Sequence, residues 1–121
     1  LIRTADAFGA AVALSPECAD PTGPRALRAT AGAIFRVPLV GWDAVPGTKV
    51  ALAAHGGTPL SEVELAPPLT FVLGAEREGL PADLDADVRA TIPLPGSAES
   101  LNVAAAGAIA LYELSRRSAS R

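Results

Sequence analysis

Three short segments concentrate the residues whose types and spacing could do chemistry: His55-Gly56-Gly57, Gly74-Ala75-Glu76-Arg77-Glu78-Gly79, and PLPGSAESLN at 93–102. Each follows an apolar run of strand length. Glycine at a strand end lets the main chain approach a ligand directly and adopt positive φ, which makes the three segments candidate walls of one cleft. None carries a phosphate-binding fingerprint: there is no G-x-G-x-x-G, no P-loop Lys-Ser/Thr pair and no G-x-S-x-G nucleophile elbow. A Ser-His-Asp hydrolase would depend on His55, the single histidine, with no serine in a recognisable elbow near it. Cys18 is the only cysteine, which excludes an internal disulfide and a cysteine-rich zinc site, and no metal is expected.

The elements that must position these segments read as follows. Ile2, Ala5, Phe8 and Val12 recur at helical spacing, predicting a helix over about 2–10 that leads through Gly9 into a strand at 12–14. Residues 15–24 read as a loop, and 25–35 have helical spacing closed by Pro38. After a turn at Pro46-Gly47, 49–54 is a strand ended by Gly56 and Gly57. Thr58 caps a turn with Pro59 at its first position, and 61–65 is short and amphipathic. Residues 69–73 (LTFVL) form the clearest strand, 81–87 a loop or single helical turn, and 90–94 a strand interrupted by Pro93. The last and longest element is a helix over 101–117, with Ser100 as cap and Arg116 and Arg117 at the negative end of its dipole. Its small residues, Ala104 to Ala106, Gly107, Ala108 and Ala110, suit a tight helix contact or a subunit interface. Strands alternating with helices predict an α/β domain with a mostly parallel sheet flanked by helices, and such sheets bind ligands beyond the carboxyl ends of their strands.

At 121 residues, half of them hydrophobic, the chain is expected to form a single domain. No apolar run approaches the roughly 20 residues that span a bilayer, and a cytoplasmic location without membrane association is expected. Net charge is −3, the wrong sign for gripping nucleic acid by charge alone. The distribution is uneven, with five basic residues against four acidic ones up to Lys49 and five against nine beyond it. The sequence contains no methionine, and Leu1 is not expected to be an ordinary translation start.

Beyond this the residues themselves resemble a family. LIRTADAFGA (1–10), FVLGAEREGLP (71–81) and IPLPGSAESLNVAAAGAIALYEL (92–114) look like the three ordered motifs of the SpoU-type RNA ribose 2'-O-methyltransferases of the SPOUT superfamily. RALRATAGAIFRVP (25–38) is similar to the segment those enzymes carry between the first two motifs. The resemblance implies a SPOUT-type α/β domain with a C-terminal deep trefoil knot, a homodimer, S-adenosylmethionine (AdoMet) as cofactor, and tRNA or rRNA as substrate. The family's first motif begins with a strand and an asparagine upstream of the arginine. Residues 1–121 are accordingly expected to be a methyltransferase domain lacking its first strand and any N-terminal RNA-binding extension.

By matching positions, the resemblance assigns cofactor contacts to Gly74, Ile92 and Leu101, with Ala54, His55, Gly56, Leu73, Glu76, Gly79 and Leu94 close by. Arg3 matches the arginine of the catalytic step, and Glu76, Ser100 and Asn102 match polar residues that shape the reacting centre. A guanidinium holds its proton to a pKa above about 12, so Arg3 is expected to orient the ribose hydroxyl and adjacent phosphate rather than to act as a free base. Asn102, in the first turn of the last helix, adds little to helix stability and is read as a chemical residue. Trp42 and Tyr112 are too isolated for a base-stacking platform, and Cys18 has no visible charge partner. Two alternatives remain at this level: a non-catalytic RNA-binding or dimerisation module of the same fold, and a Rossmann-type nucleotide module, which lacks its glycine fingerprint.

Overall fold

The computed structural model describes residues 2–13, 39–40 (backbone only), 45, 47–74, 79–80, 84–96 and 101–119. The expected loop at 15–24, the helix at 25–35, Cys18 and Trp42 lie outside them, as do Glu76 and Ser100. The chain divides into two compact units, Leu1–Val45 and Pro46–Arg121.

In the first unit, α1 (Ile2–Phe8) is shorter than its periodicity suggests. Gly9 (φ +67°) closes it: the Gly9 amide donates to Asp6 O at 3.2 Å and the Ala10 amide to Ala5 O at 2.9 Å, the paired bonds of a Schellman terminus. Ala5 and Val12 are buried, with Ile2 and Ala10 packed on them. Strand β1 (Val12–Ala13) pairs in parallel with β2 (Leu39–Val40), Val12 opposite Leu39.

The second unit is a four-stranded, all-parallel sheet. Its strands are β3 (Thr48–Leu52), β4 (Thr58–Pro59), β5 (Leu69–Leu73) and β6 (Val88–Thr91), in spatial order β4-β6-β3-β5. Helix α2 (Val103–Ala119) completes it. Val50, Leu52, Leu69, Phe71, Val88 and Ala90 alternate onto one sheet face and pack with Leu60, Val63, Leu65, Ala110 and Leu114. The small side chain of Ala110, fully buried, lets α2 approach that face closely. Ala51 and Val72, on the opposite face, are buried as well, which explains why β3 and β5 read as continuous apolar runs rather than as alternating ones.

Three expectations are corrected here. Thr58 does not cap a turn: Thr58 and Pro59 pair with Ala90 and Thr91, and the 3-10 turn that follows, Leu60–Glu62, has Pro59 at its cap position with no side-chain hydrogen bond. Pairing with a strand thirty residues later in the sequence overrides the local turn chemistry. The strand expected at 90–94 begins at Val88 and stops at Thr91, before Pro93, which has no amide hydrogen to give a ladder. The last helix starts at Val103 rather than Leu101, and Asn102 caps it, while Ser100, the expected cap, lies outside the described residues. The Asn102 Oδ1 accepts the Ala104 amide at 2.8 Å and the Ala105 amide at 3.4 Å, while the Asn102 carbonyl accepts the first helical bond from Ala106 at 2.9 Å.

The link from β3 to β4 has an uncommon path. Leu52 and Thr58 are both opposite Ala90, on its two sides, so residues 53–57 form an arch that straddles β6. Two strand spacings are about 10 Å, which five residues can cover only if the arch hugs the strand it crosses. It does: Ala53 N donates to Ala90 O at 2.8 Å, and Thr91 Oγ1 donates to Ala54 O at 3.4 Å. At Gly57 (φ +122°) a Cβ would stand 2.7 Å from Arg89 O. A side chain there would collide with the main chain of β6.

Candidate functional site at the strand tips

Because β5, β3 and β6 are parallel neighbours, their carboxyl ends meet at one edge of the sheet. The three segments picked out by residue type all begin there: the arch at Ala53, Gly74 after Leu73, and Ile92 after Thr91. Ala54, His55 and Gly56 are exposed along the arch; Leu73, Gly74, Ile92 and Leu94 are half-buried at the tips. Leu101, half-buried, and Asn102, exposed, immediately precede α2.

Main chain dominates this edge. A Cβ on Gly74 would lie 2.4 Å from Gly79 C and 2.6 Å from Leu80 N, so the loop leaving β5 returns to touch its own origin, backbone on backbone. Gly79 makes that return with φ +67°. The result is a cradle of peptide groups and aliphatic side chains. Such a surface can recognise a flat, uncharged ring by amide hydrogen bonds and apolar contact.

Arg3 is exposed on α1, in the first unit. Glu76 and Ser100 fall outside the described residues. Thr91 was not singled out by sequence reasoning, yet it hydrogen-bonds the arch, and Gly57, picked out only as part of its segment, lets the arch close on β6. The signal for Thr91 was a hydroxyl beside a strand end.

Carboxylates gather away from the tips. The Asp87 carboxylate accepts the Lys49 amide at 2.8 Å where β3 starts. Glu62 and Glu64 line a concavity of about 500 Å³ with Thr48, Leu69 and Val88, the first residues of β3, β5 and β6. That concavity is at the opposite edge, and its acidic rim repels a polyanion. On α2, Arg116 and Arg117 flank Glu113, with Arg116 Nη2 at 2.6 Å and Arg117 Nε at 2.8 Å from its Oε1. Hydrogen bonds from the two guanidiniums hold the Glu113 carboxyl down to about 2 from an ordinary 4.5, and Glu113 in turn raises Arg116. No described helix is long and apolar enough to cross a membrane.

Comparison with known proteins agrees with this geometry. The chain is 36% identical to the 23S rRNA (guanosine(2553)-2'-O)-methyltransferase RlmP of Bacillus subtilis, over 94% of this chain and 51% of that protein. An AdoMet-bound rRNA methyltransferase from Sinorhizobium meliloti superposes with a TM-score of 0.87 at 35% identity, covering 96% of this chain and 49% of that one. The SpoU methyltransferase AviRb from Streptomyces viridochromogenes, in complex with AdoMet, gives a TM-score of 0.87 at 30% identity over 99% and 55%. The chain thus spans about half the length of the curated relatives it matches. The SpoU rRNA methylase family matches residues 1–112, nearly the whole sequence, and the chain belongs to that family.

Proposed function

We propose that the protein transfers a methyl group from AdoMet to a ribose 2'-hydroxyl of tRNA or rRNA. The observation that carries this reading is the meeting of the carboxyl ends of β3, β5 and β6, each followed by a glycine-bearing segment, at one edge of the sheet. The relatives named as rRNA 2'-O-methyltransferases supply the direction of the chemistry. AdoMet, when bound, supplies an electrophilic methyl on a sulfonium.

The chain's own residues hold and orient. Gly74 and Gly79 keep the β5 loop narrow; Leu73, Ile92, Leu94 and Leu101 exclude water from one side of the adenosyl slot; Ala54, His55 and Gly56 present the arch's backbone. Arg3 orients the ribose hydroxyl and its neighbouring phosphate, and the phosphate accepts the hydroxyl proton, since a guanidinium holds its own. Asn102 commits its oxygen to the helix and keeps its amide hydrogens for donation, while Glu76 and Ser100 complete the polar side of the reacting centre. Much of the acceleration comes from holding the two reactants together.

The same reading takes residues 1–121 as one SPOUT-like domain with a trefoil knot, acting in the cytoplasm as a homodimer. The arch over β6 supports the knot, because the chain beyond Thr91 must leave beneath residues 53–57. Ile109 and Tyr112, 40% and 59% exposed, align with Ala105 and Arg116 along the outward row of α2 and support the dimer.

The test is calorimetry with AdoMet followed by labelled methyl transfer to bulk RNA. Binding and transfer are expected, with Arg3→Ala abolishing transfer and sparing AdoMet affinity. No binding at millimolar AdoMet refutes the reading. Binding without transfer to any RNA favours a non-catalytic module instead.

A further inference from the structure

The sequence accounts for Arg117 as a charge at the end of a helix dipole, but its side chain does more than that. Arg117 Nη2 donates to Leu60 O at 2.8 Å and Nη1 donates to Val63 O, while Nε is held by Glu113 Oε1 at 2.8 Å. The guanidinium is largely enclosed, with 18% of the side chain exposed. Its fork therefore bridges two carbonyls of the turn that follows β4 and one carboxylate on its own helix. Leu60 O also accepts the Val63 amide at 3.2 Å, so the turn and the clamp share an acceptor.

The position of this clamp matters because of what precedes it. Residues 53–57 form the arch, and Gly56 and Gly57 both have positive φ, +69° and +122°, with no side chain to restrain them. The upstream foot is fixed by Ala53 N on Ala90 O. The downstream foot is β4, two residues long and at the edge of the sheet, too short to hold by its ladder alone. Leu60, Val63 and Leu65 bury their side chains in the core. Burial fixes where those side chains sit, whereas the guanidinium fixes the direction of the carbonyls and hence of the main chain entering from the arch.

We infer that Arg117, held in place by Glu113, is a positioning residue that keeps the arch at 53–57 in its AdoMet-binding shape from the far end of α2. This rests on the reading of the strand tips as an AdoMet site. Arg117 touches neither reactant; it sets the fraction of molecules whose arch is competent. Apparent affinity is reduced by that fraction, so an arch competent one time in ten weakens AdoMet binding about tenfold and leaves the saturated rate alone.

Arg117→Lys keeps the charge and the stem but cannot fork across two carbonyls and a carboxylate. Glu113→Gln keeps the shape and releases Nε. The reference is Val88→Ala, which removes core volume at the opposite sheet edge. Each variant is compared with the parent protein by calorimetry with AdoMet, saturation kinetics, thermal denaturation and hydrogen exchange. Arg117→Lys should raise the AdoMet dissociation constant about tenfold with kcat within about twofold, and Glu113→Gln should do the same to a smaller degree. Exchange should quicken at the amides of 55–58 and stay unchanged in β3 and β5. The proposal is overturned if Arg117→Lys weakens AdoMet no more than Val88→Ala at matched loss of melting temperature, or if exchange rises evenly through the sheet. A parent protein that does not bind AdoMet overturns the site reading itself, a result separate from either of these.

Discussion

Asn102 carries two assignments that a graded set of substitutions separates. Its Oδ1 receives the amides of Ala104 and Ala105, at 2.8 and 3.4 Å, which are the second and third helical positions of α2. Removing that acceptor leaves two amides at an exposed helix start to water. An N-cap is worth about 1 kcal/mol, so Asn102→Ala should lower the melting temperature by about 4 °C. Asn102→Asp and Asn102→Ser keep a capping oxygen, and aspartate gains up to about 1 kcal/mol from the positive end of the dipole, so serine should melt within about 2 °C of the parent and aspartate between the parent value and about 4 °C above it. Neither keeps the amide hydrogens. If those hydrogens donate to a charged group at the reacting centre, their loss is worth about 1.5–3 kcal/mol, or roughly 10- to 150-fold in single-turnover methyl transfer. Serine guards against the objection that aspartate slows the reaction by its charge. Full single-turnover rates in both capping variants would refute the chemical assignment. An unshifted melting temperature in Asn102→Ala would refute the cap.

The remaining predictions concern other parts of the second unit. Gly74→Ala forces a methyl to within 2.4 Å of Gly79 C, and a backbone neighbour cannot yield as a side chain would; a stability loss of about 1–3 kcal/mol is expected by urea denaturation, with AdoMet affinity falling in parallel. Glu113 titrates near 2 when folded against an ordinary 4.5, so its contribution is whole above about 4.5 and lost as pH falls toward 2. The stability difference between the parent and Glu113→Gln should therefore close across that window, and a difference independent of pH would contradict the guanidinium contacts. Tyr112→Glu with Ile109→Glu should yield a monomer by analytical ultracentrifugation with the far-ultraviolet spectrum unchanged; a persisting dimer would remove α2 from the interface.

How legible the sequence was depended on how local each cause is. LTFVL at 69–73 is a strand to the residue, because apolar, β-branched and aromatic side chains between prolines and a glycine leave no other element. The three candidate loops were found by type and position alone, since a parallel sheet brings the ends of its strands to one edge whatever their order in the sequence. The strand character of Thr58-Pro59 was hidden, because it is created by Ala90 and Thr91 and not by its own residues. The cap at Asn102 turned on where α2 starts, a boundary blurred by an alanine-rich first turn. Arg117 was assigned to the helix dipole, and its partners at Leu60 and Val63 are more than fifty residues distant. Charge and spacing say where such a side chain begins, and only the folded chain says where it ends.

The order β4-β6-β3-β5 has a consequence for how this polypeptide matures. As the chain leaves the ribosome, β3 and β4 are complete about thirty residues before the segment that must lie between them. Their neighbours therefore wait with an open slot whose ladder groups face water, and β6 arrives last, as a wedge. Refolding from denaturant should be slow for a molecule of this size, and the slot, while vacant, is where one nascent copy could accept the wrong strand from another.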